Sequence, residues 1–354
     1  MKSIRILVLL ISAYSFFYLS NIAQADSLDS FDVVGDLPDN QLDKTVTYFD
    51  LLMKPEEKQT LNLRLTNRLD TPIPLELSFN KALTNGSGVV EYSGNLQDTS
   101  TSDTPNIEDL VTLEETSLTL KPKETKAIQL QINMPKETFS GVLAGGLYIK
   151  QTASQNEQKG NVTNLLSREI AVLVRTDKTA VKPELKILSA SALQANSRNV
   201  IEAVVENTTA TYISDVTIEA KVTQDGKEVL TDKKENMKIA PTSQFHYRIP
   251  LSGTSFEGGT YDVNLKITSG DSQWMGSPSF TIENKEAQSL NRQDVSVQAA
   301  KPAIPWSTII LVSVLIIFMI VLWYVMQYNR QLRQSLASKR KKRSHSRRHR
   351  QRTS

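Results

Sequence analysis

Strict alternation of apolar and polar residues, repeated in short segments along the chain, constrains this sequence more than any other feature. Successive side chains on an extended strand point to opposite faces, so such a segment buries one face and wets the other; a helix would need apolar residues three and four apart. Leu61, Leu63 and Leu65 alternate with Asn62, Arg64 and Thr66, and Ile128, Leu130 and Ile132 with Gln129, Gln131 and Asn133. Val216, Ile218, Ala220 and Val222 alternate with Thr217, Glu219 and Lys221, and Tyr261, Val263, Leu265 and Ile267 with Asp262, Asn264 and Lys266. Turn residues that tolerate positive φ punctuate the runs at Gln224-Asp225-Gly226, Gly258-Gly259 and Ser269-Gly270-Asp271. Many short strands with polar turns predict an all-β chain, and no window between the apolar ends has a convincing helical period.

The strand pattern breaks once, in a polar stretch ending at Pro183. It predicts two consecutive immunoglobulin-like β-sandwich domains, over 26–176 and 183–284, followed by a polar stalk over 285–303. Two segments of the first domain, 84–106 and 151–164, are long and polar, and loops of that length are commonly functional or mobile. Gly145-Gly146 in a strand-like segment points to a bulge or a close approach of other atoms to the backbone.

Both ends of the chain are hydrophobic. Lys2 and Arg5, an uncharged apolar run, and small residues at Ala23 and Ala25 have the layout of a secretion signal over 1–25. Residues 304–326 are almost wholly apolar and long enough to span a bilayer, with Trp306 at one rim and Trp323, Tyr324 and Tyr328 at the other. The segment 327–354 is rich in Lys and Arg and has no acidic residue, which places it on the cytoplasmic side and the ectodomain outside.

The net charge of +3 averages two compartments. The basic ends supply more than all of it, so the ectodomain between them is acidic and unlike a nucleic-acid binder. Cysteine is absent, which excludes disulfides, thiolate metal sites and a cysteine nucleophile, and fits a bacterial exported protein held by apolar cores.

Motifs that would carry chemistry are missing. Two of the three histidines lie in the basic tail, and the third, His246, falls on the polar side of the strand pattern Phe245, Tyr247, Ile249 and Leu251. Ser78-Phe79-Asn80-Lys81 has the Ser-x-x-Lys spacing of penicillin-recognising enzymes, but there one helical turn brings the amine to the hydroxyl, whereas here the residues sit in a strand pattern. Adjacent carboxylates such as Glu56-Glu57 and Glu114-Glu115 face apart in a strand, so no glycosidase pair follows from adjacency. No zinc, phosphate-loop or calcium-loop motif is present, and no cofactor is expected.

In the second half, Asn236-Met237-Lys238-Ile239-Ala240-Pro241 is followed by Phe245, Ile249-Pro250, Gly258-Gly259-Thr260-Tyr261, Trp274, Phe280, Ala287, Leu290 and Asn291. In the first half stand Tyr48-Phe49-Asp50-Leu51, Leu65-Thr66-Asn67, Ser140-Gly141 and Gly145-Gly146-Leu147. With these motifs in this order, the chain resembles the WxL-interacting proteins of low-GC Gram-positive bacteria from about residue 30 through the basic tail. The resemblance implies a first domain that binds peptidoglycan and a second that meets host extracellular components or WxL-domain surface proteins. It marks Tyr48, Phe49, Gly145, Gly146, Tyr148 and Trp274 as motif positions for binding. A sorting motif for covalent wall attachment is absent, so anchoring would fall to the membrane segment. The reading is a non-enzymatic, membrane-anchored surface adaptor; an anchored chaperone or sensor for exported proteins, and a wall-glycan hydrolase, are the alternatives.

Overall fold

The computed structural model describes residues 30–100, 104–152, 165–297 and 310–331. The signal expected at 1–25, loop residues 153–164, the positions 298–309 that span the end of the expected stalk and the start of the membrane segment, and the tail from 332 lie outside the described residues. Residues up to Val297 belong to one compact unit and the helix near the C-terminus to another.

The first sandwich faces two sheets across one core. One sheet orders β1 (Phe31–Gly35), β3 (Lys58–Asn67), β9 (Thr125–Asn133) and β7 (Val111–Leu113). The other orders β2 (Phe49–Leu52), β11 (Ser167–Arg175), β10 (Leu143–Gln151), β4 (Ile73–Lys81) and β8 (Ser117–Leu120), with β2 parallel to β11 and the remaining pairs antiparallel. The alternation predicts the core: Leu61, Leu63, Leu65, Ile128, Leu130 and Ile132 are all buried within it. Burying such side chains supplies roughly 1.5–3 kcal/mol each.

The second sandwich faces β12 (Leu185–Ala195), β13 (Arg198–Asn207) and β16 (Ser243–Pro250) against β15 (Lys227–Ile239), β14 (Ile213–Gln224), β17 (Gly259–Ser269), β18 (Ser272–Gly276) and β19 (Ser279–Ile282). Val216, Ile218, Val222, Val263, Leu265 and Ile267 meet there with Phe245, Tyr247 and Ile249. The expected turn between β14 and β15 is made by Asp225 and Gly226, both at positive φ (48° and 80°), as a tight hairpin requires.

Three features depart from the sequence reading. First, part of the long polar segment 84–106 is not a free loop of the first domain. Its strands β5 (Leu83–Thr84) and β6 (Val90–Glu91) extend the second sandwich's sheet, with Thr84 paired in parallel to Phe245. Second, a one-turn helix, α1 (Ile107–Leu110), and a longer one, α2 (Asn284–Gln293), occur where no helical period stands out. α2 occupies the start of the expected stalk and packs on the second sandwich: Ala287 is buried, Leu290 lies against the core, and Asn291 bonds to Phe256 and Asn199. A contact stripe of three residues is too short to register as a period. Third, α3 (Ile310–Gln331), long and apolar enough to cross a membrane, continues past residue 326. An apolar run marks the hydrocarbon region; the helix itself goes on where helix-compatible polar residues follow.

Candidate functional site

β10 supplies the floor of the site. Leu147 and Ile149 point into the core, so Gly146, Tyr148 and Lys150 face outward. Register sets rows of outward residues across the sheet: Ser78, Tyr148 and Glu169 form one, and Ser117, Glu76 and Lys150 the next. On the other side of the glycine pair, Ala144 and Leu173 join Ala82, Tyr92, and Ala240 and Tyr212 of the second sandwich in an apolar cluster, so that end of the face is the joint between the domains.

Between joint and open rows, residues 90–95 cross the sheet as a strap. A Cβ on Gly146 would stand 2.6 Å from Tyr92 Cγ, and one on Gly145 would stand 2.9 Å from Phe79 and Ile107 side-chain atoms. The glycine pair is therefore a close approach on both faces of β10, and its register with β4 and β11 runs unbroken, without a bulge. Asn80 Nδ2 donates to the Tyr92 carbonyl (2.6 Å) and fixes the strap from below.

The strap walls two adjoining depressions. One, of about 470 Å³, is lined by Tyr148, Glu76, Ser78, Lys150, Ser93 and Asn95, with Thr116 and Ser117 at the β8 side. The other, of about 520 Å³, is lined by Tyr48, Tyr92, Glu169, Arg168, Asp32 and Thr47. Tyr148 of the first and Glu169 of the second stand opposite each other on β10 and β11, so the two depressions are neighbours across the strands, and together they are called the trough below.

Its electrostatics are largely internally settled. Burial, reinforced by Glu91, pushes the Glu169 carboxyl up, against a hydrogen bond from the Tyr92 backbone. Asp32 pairs with Arg68, and Arg168 Nε donates to the Phe31 carbonyl (3.3 Å). Burial pushes the Tyr92 hydroxyl up; it lies 3.3 Å from the hydroxyl of Tyr212, which burial holds well above the usual tyrosine range.

The motif positions thus divide. Tyr48 (36% exposed) and Tyr148 line the trough, and Gly146 seats its wall. Phe49 is fully buried, its ring so close to Gly35 that a Cβ there would clash at 2.5 Å. Gly145 faces the core side, and Trp274 lies on β18 against the second core, away from the others. Tyr92, Glu169 and Asn95 are additions that the sequence did not single out; the one signal was a lone aromatic at the end of Val89-Val90-Glu91-Tyr92 within a Ser- and Gly-rich stretch.

The residues weighed for chemistry are dispersed. Ser78 lies in the trough, while Lys81 Nζ turns to Asp98 (2.6 Å) and the Thr242 carbonyl (2.6 Å) at the domain joint. His246 bonds through Nδ1 to Glu202 (2.9 Å) on the outer face of the second sandwich. Among the described residues no cluster of His, Asp and Glu has the arrangement of a metal site.

Comparison with known families agrees with the domain order. Residues 31–151 match the family model described as "WxL Interacting Protein, peptidoglycan binding domain", and residues 157–292 match "WxL Interacting Protein, host binding domain". No curated protein matches the chain. Solved structures similar to it include the E. coli chaperone DraB, at 16% identity over 72% of this chain and 98% of that one, with a TM-score of 0.27. The CsuC-CsuE chaperone–tip adhesion subunit complex of Acinetobacter baumannii is 11% identical over 55% and 85%, TM-score 0.29. PapD-like domain 7 of human CEP192 is 11% identical over 43% and 87%, TM-score 0.26.

Proposed function

Because this chain belongs to the WxL-interacting protein family, with the peptidoglycan-binding and host-binding domains in that order, we propose that it is a non-enzymatic adaptor of a Gram-positive cell surface. The first sandwich holds peptidoglycan in the trough walled by the strap, and the second meets WxL-domain proteins or host components. A cleaved signal at 1–25 exports the ectodomain, the helix Ile310–Gln331 anchors it, and the basic tail stays inside. Membrane tethering raises the local concentration at the wall, so weak contacts suffice.

The observation that carries this reading is the row of Tyr148 with Ser78 and Glu169, flanked by Tyr48 and Tyr92. Aromatic faces and outward hydroxyl and carboxyl groups suit a sugar, which has an apolar ring face and a polar rim.

The test is sedimentation of the full-length chain, in detergent, with insoluble peptidoglycan. The two sandwiches should not be cut apart for this, since β5 and β6 complete the second sheet. We expect Tyr148→Ala to lower retention about tenfold; equal retention of variant and wild type overturns the assignment of the trough.

A further inference from the structure

We propose that the trough takes an internal stretch of wall polysaccharide laid across the strands, recognising the glycan chain and not its peptide stems. This inference rests on the peptidoglycan-binding reading above and specifies its ligand.

The first argument is the shape. Tyr48 and Asp32 stand at one end, on the β2 and β1 side, and Thr116 and Ser117 at the other, on the β8 side. From β2 to β8 lie four strand spacings, roughly 19 Å, the length of several sugar units. Both ends lie at edges of their sheets, so the trough is suited to a polymer passing through it.

A second argument is what the floor lacks. β10, the middle strand of the floor, pairs with β11 on one side and β4 on the other throughout, so its main-chain groups are spent in the ladder. An extended peptide is ordinarily captured through its own main chain at a free strand edge; laid over β10 it would find side chains only, and its amides there would be left unpaired at a cost. A sugar meets no such penalty. Its hydroxyl and acetamido groups can bond Ser78, Ser93, Asn95 and Ser117, and its ring face can stack on Tyr148.

Charge points the same way. Glu76 and Lys150 are directly opposite in register, and Asp32 is engaged by Arg68. Ionic groups within the trough offset one another, which suits an uncharged polymer better than a charged stem.

The experiment is competition against retention of the full-length chain, in detergent, on insoluble peptidoglycan. The competitors are N-acetylglucosamine oligomers of two, four and six units, which carry no peptide, and a soluble stem peptide without sugar. We expect the four- and six-unit oligomers to displace the protein at concentrations about tenfold below the two-unit oligomer, the stem peptide to be inert, and Tyr148→Phe to keep this order. Displacement by the stem peptide, equal potency of all three oligomers, or displacement by none of the competitors would overturn the proposal while leaving peptidoglycan binding standing. Failure of the wild type to be retained at all would instead overturn the reading on which it rests.

Discussion

Asn67 and Asn207 occupy the same place in the two sandwiches. Each ends a strand fully buried, each receives a backbone N–H from two residues on at Oδ1 (Leu69, 2.8 Å; Thr209, 3.1 Å), and each donates through Nδ2 to the carbonyl four residues on (Thr71, 2.8 Å; Thr211, 2.7 Å). Each also bridges to a distant element: Asn67 to Lys121 (2.8 Å), and Asn207 to Ala240 (2.9 Å). In both, a buried isoleucine, Ile73 or Ile213, opens the next strand. The same turn has been solved twice, by one side chain that satisfies otherwise orphaned carbonyls.

Replacing either by alanine strands buried carbonyls and is expected to cost about 1–3 kcal/mol. Asn207→Asp keeps the acceptor but loses the donor and turns a charge toward two carbonyl oxygens, so it should be worse than Asn207→Ala. Chemical denaturation of the three variants gives the ranking.

Gly146 and Tyr92 form a coupled pair. Gly146→Leu drives a side chain into the strap and, as an overpacked site, should cost about 1–3 kcal/mol. Tyr92→Ala in the same chain vacates that space, so the double variant should be more stable than the sum of the single changes implies. Additive losses in a double-mutant cycle would show that the strap does not rest on Gly146.

Tyr48 and Phe49 are sequence neighbours with opposite tasks. Phe49→Ala opens a cavity in the first core and should cost about 3–5 kcal/mol. Tyr48→Ala removes a partly exposed ring and should leave the unfolding midpoint nearly unchanged while weakening retention on peptidoglycan. Measuring both properties on both variants separates the roles.

Asp98 holds the long segment to the second sandwich, accepting from Lys81 Nζ, from Ser100 and from the Gln244 backbone (3.2 Å). Burial pushes its carboxyl up, but Lys81 and Ser100 together hold it below the usual carboxylate value. Its contribution is therefore complete above the unfolded carboxylate's pKa, about 3.9, and fades as pH falls through the lower folded value. The difference in stability between wild type and Asp98→Asn should be constant from neutral pH down to about 5 and shrink below 4. Hydrogen exchange of residues 84–100 should rise in the variant at neutral pH.

Several elements were legible without coordinates. The period-two runs around Leu61–Leu65, Ile128–Ile132, Val216–Val222 and Tyr261–Ile267 specify strands and their buried faces, because alternation is a local property of an extended backbone. The polar phase of His246 and the membrane-length apolar run were legible for the same reason. What failed locally was α2, whose few contact residues resemble linker, and the segment 84–106, whose Ser- and Gly-rich composition resembles a free loop. β5 is two residues long, and nothing near it in sequence announces that Phe245 is its partner.

The sequence alone determined an all-β chain, its core faces, its apolar ends and its family, since each follows from patterns read along the chain. The tertiary structure alone decided that Gly146 seats Tyr92, that Tyr148 faces Ser78 and Glu169, and that β5 and β6 extend the second sandwich's sheet. Those facts depend on strand order and register between residues up to about 160 positions apart. Cross-strand pairing is a contact between distant segments, set by how whole sheets pack, and no local preference encodes it.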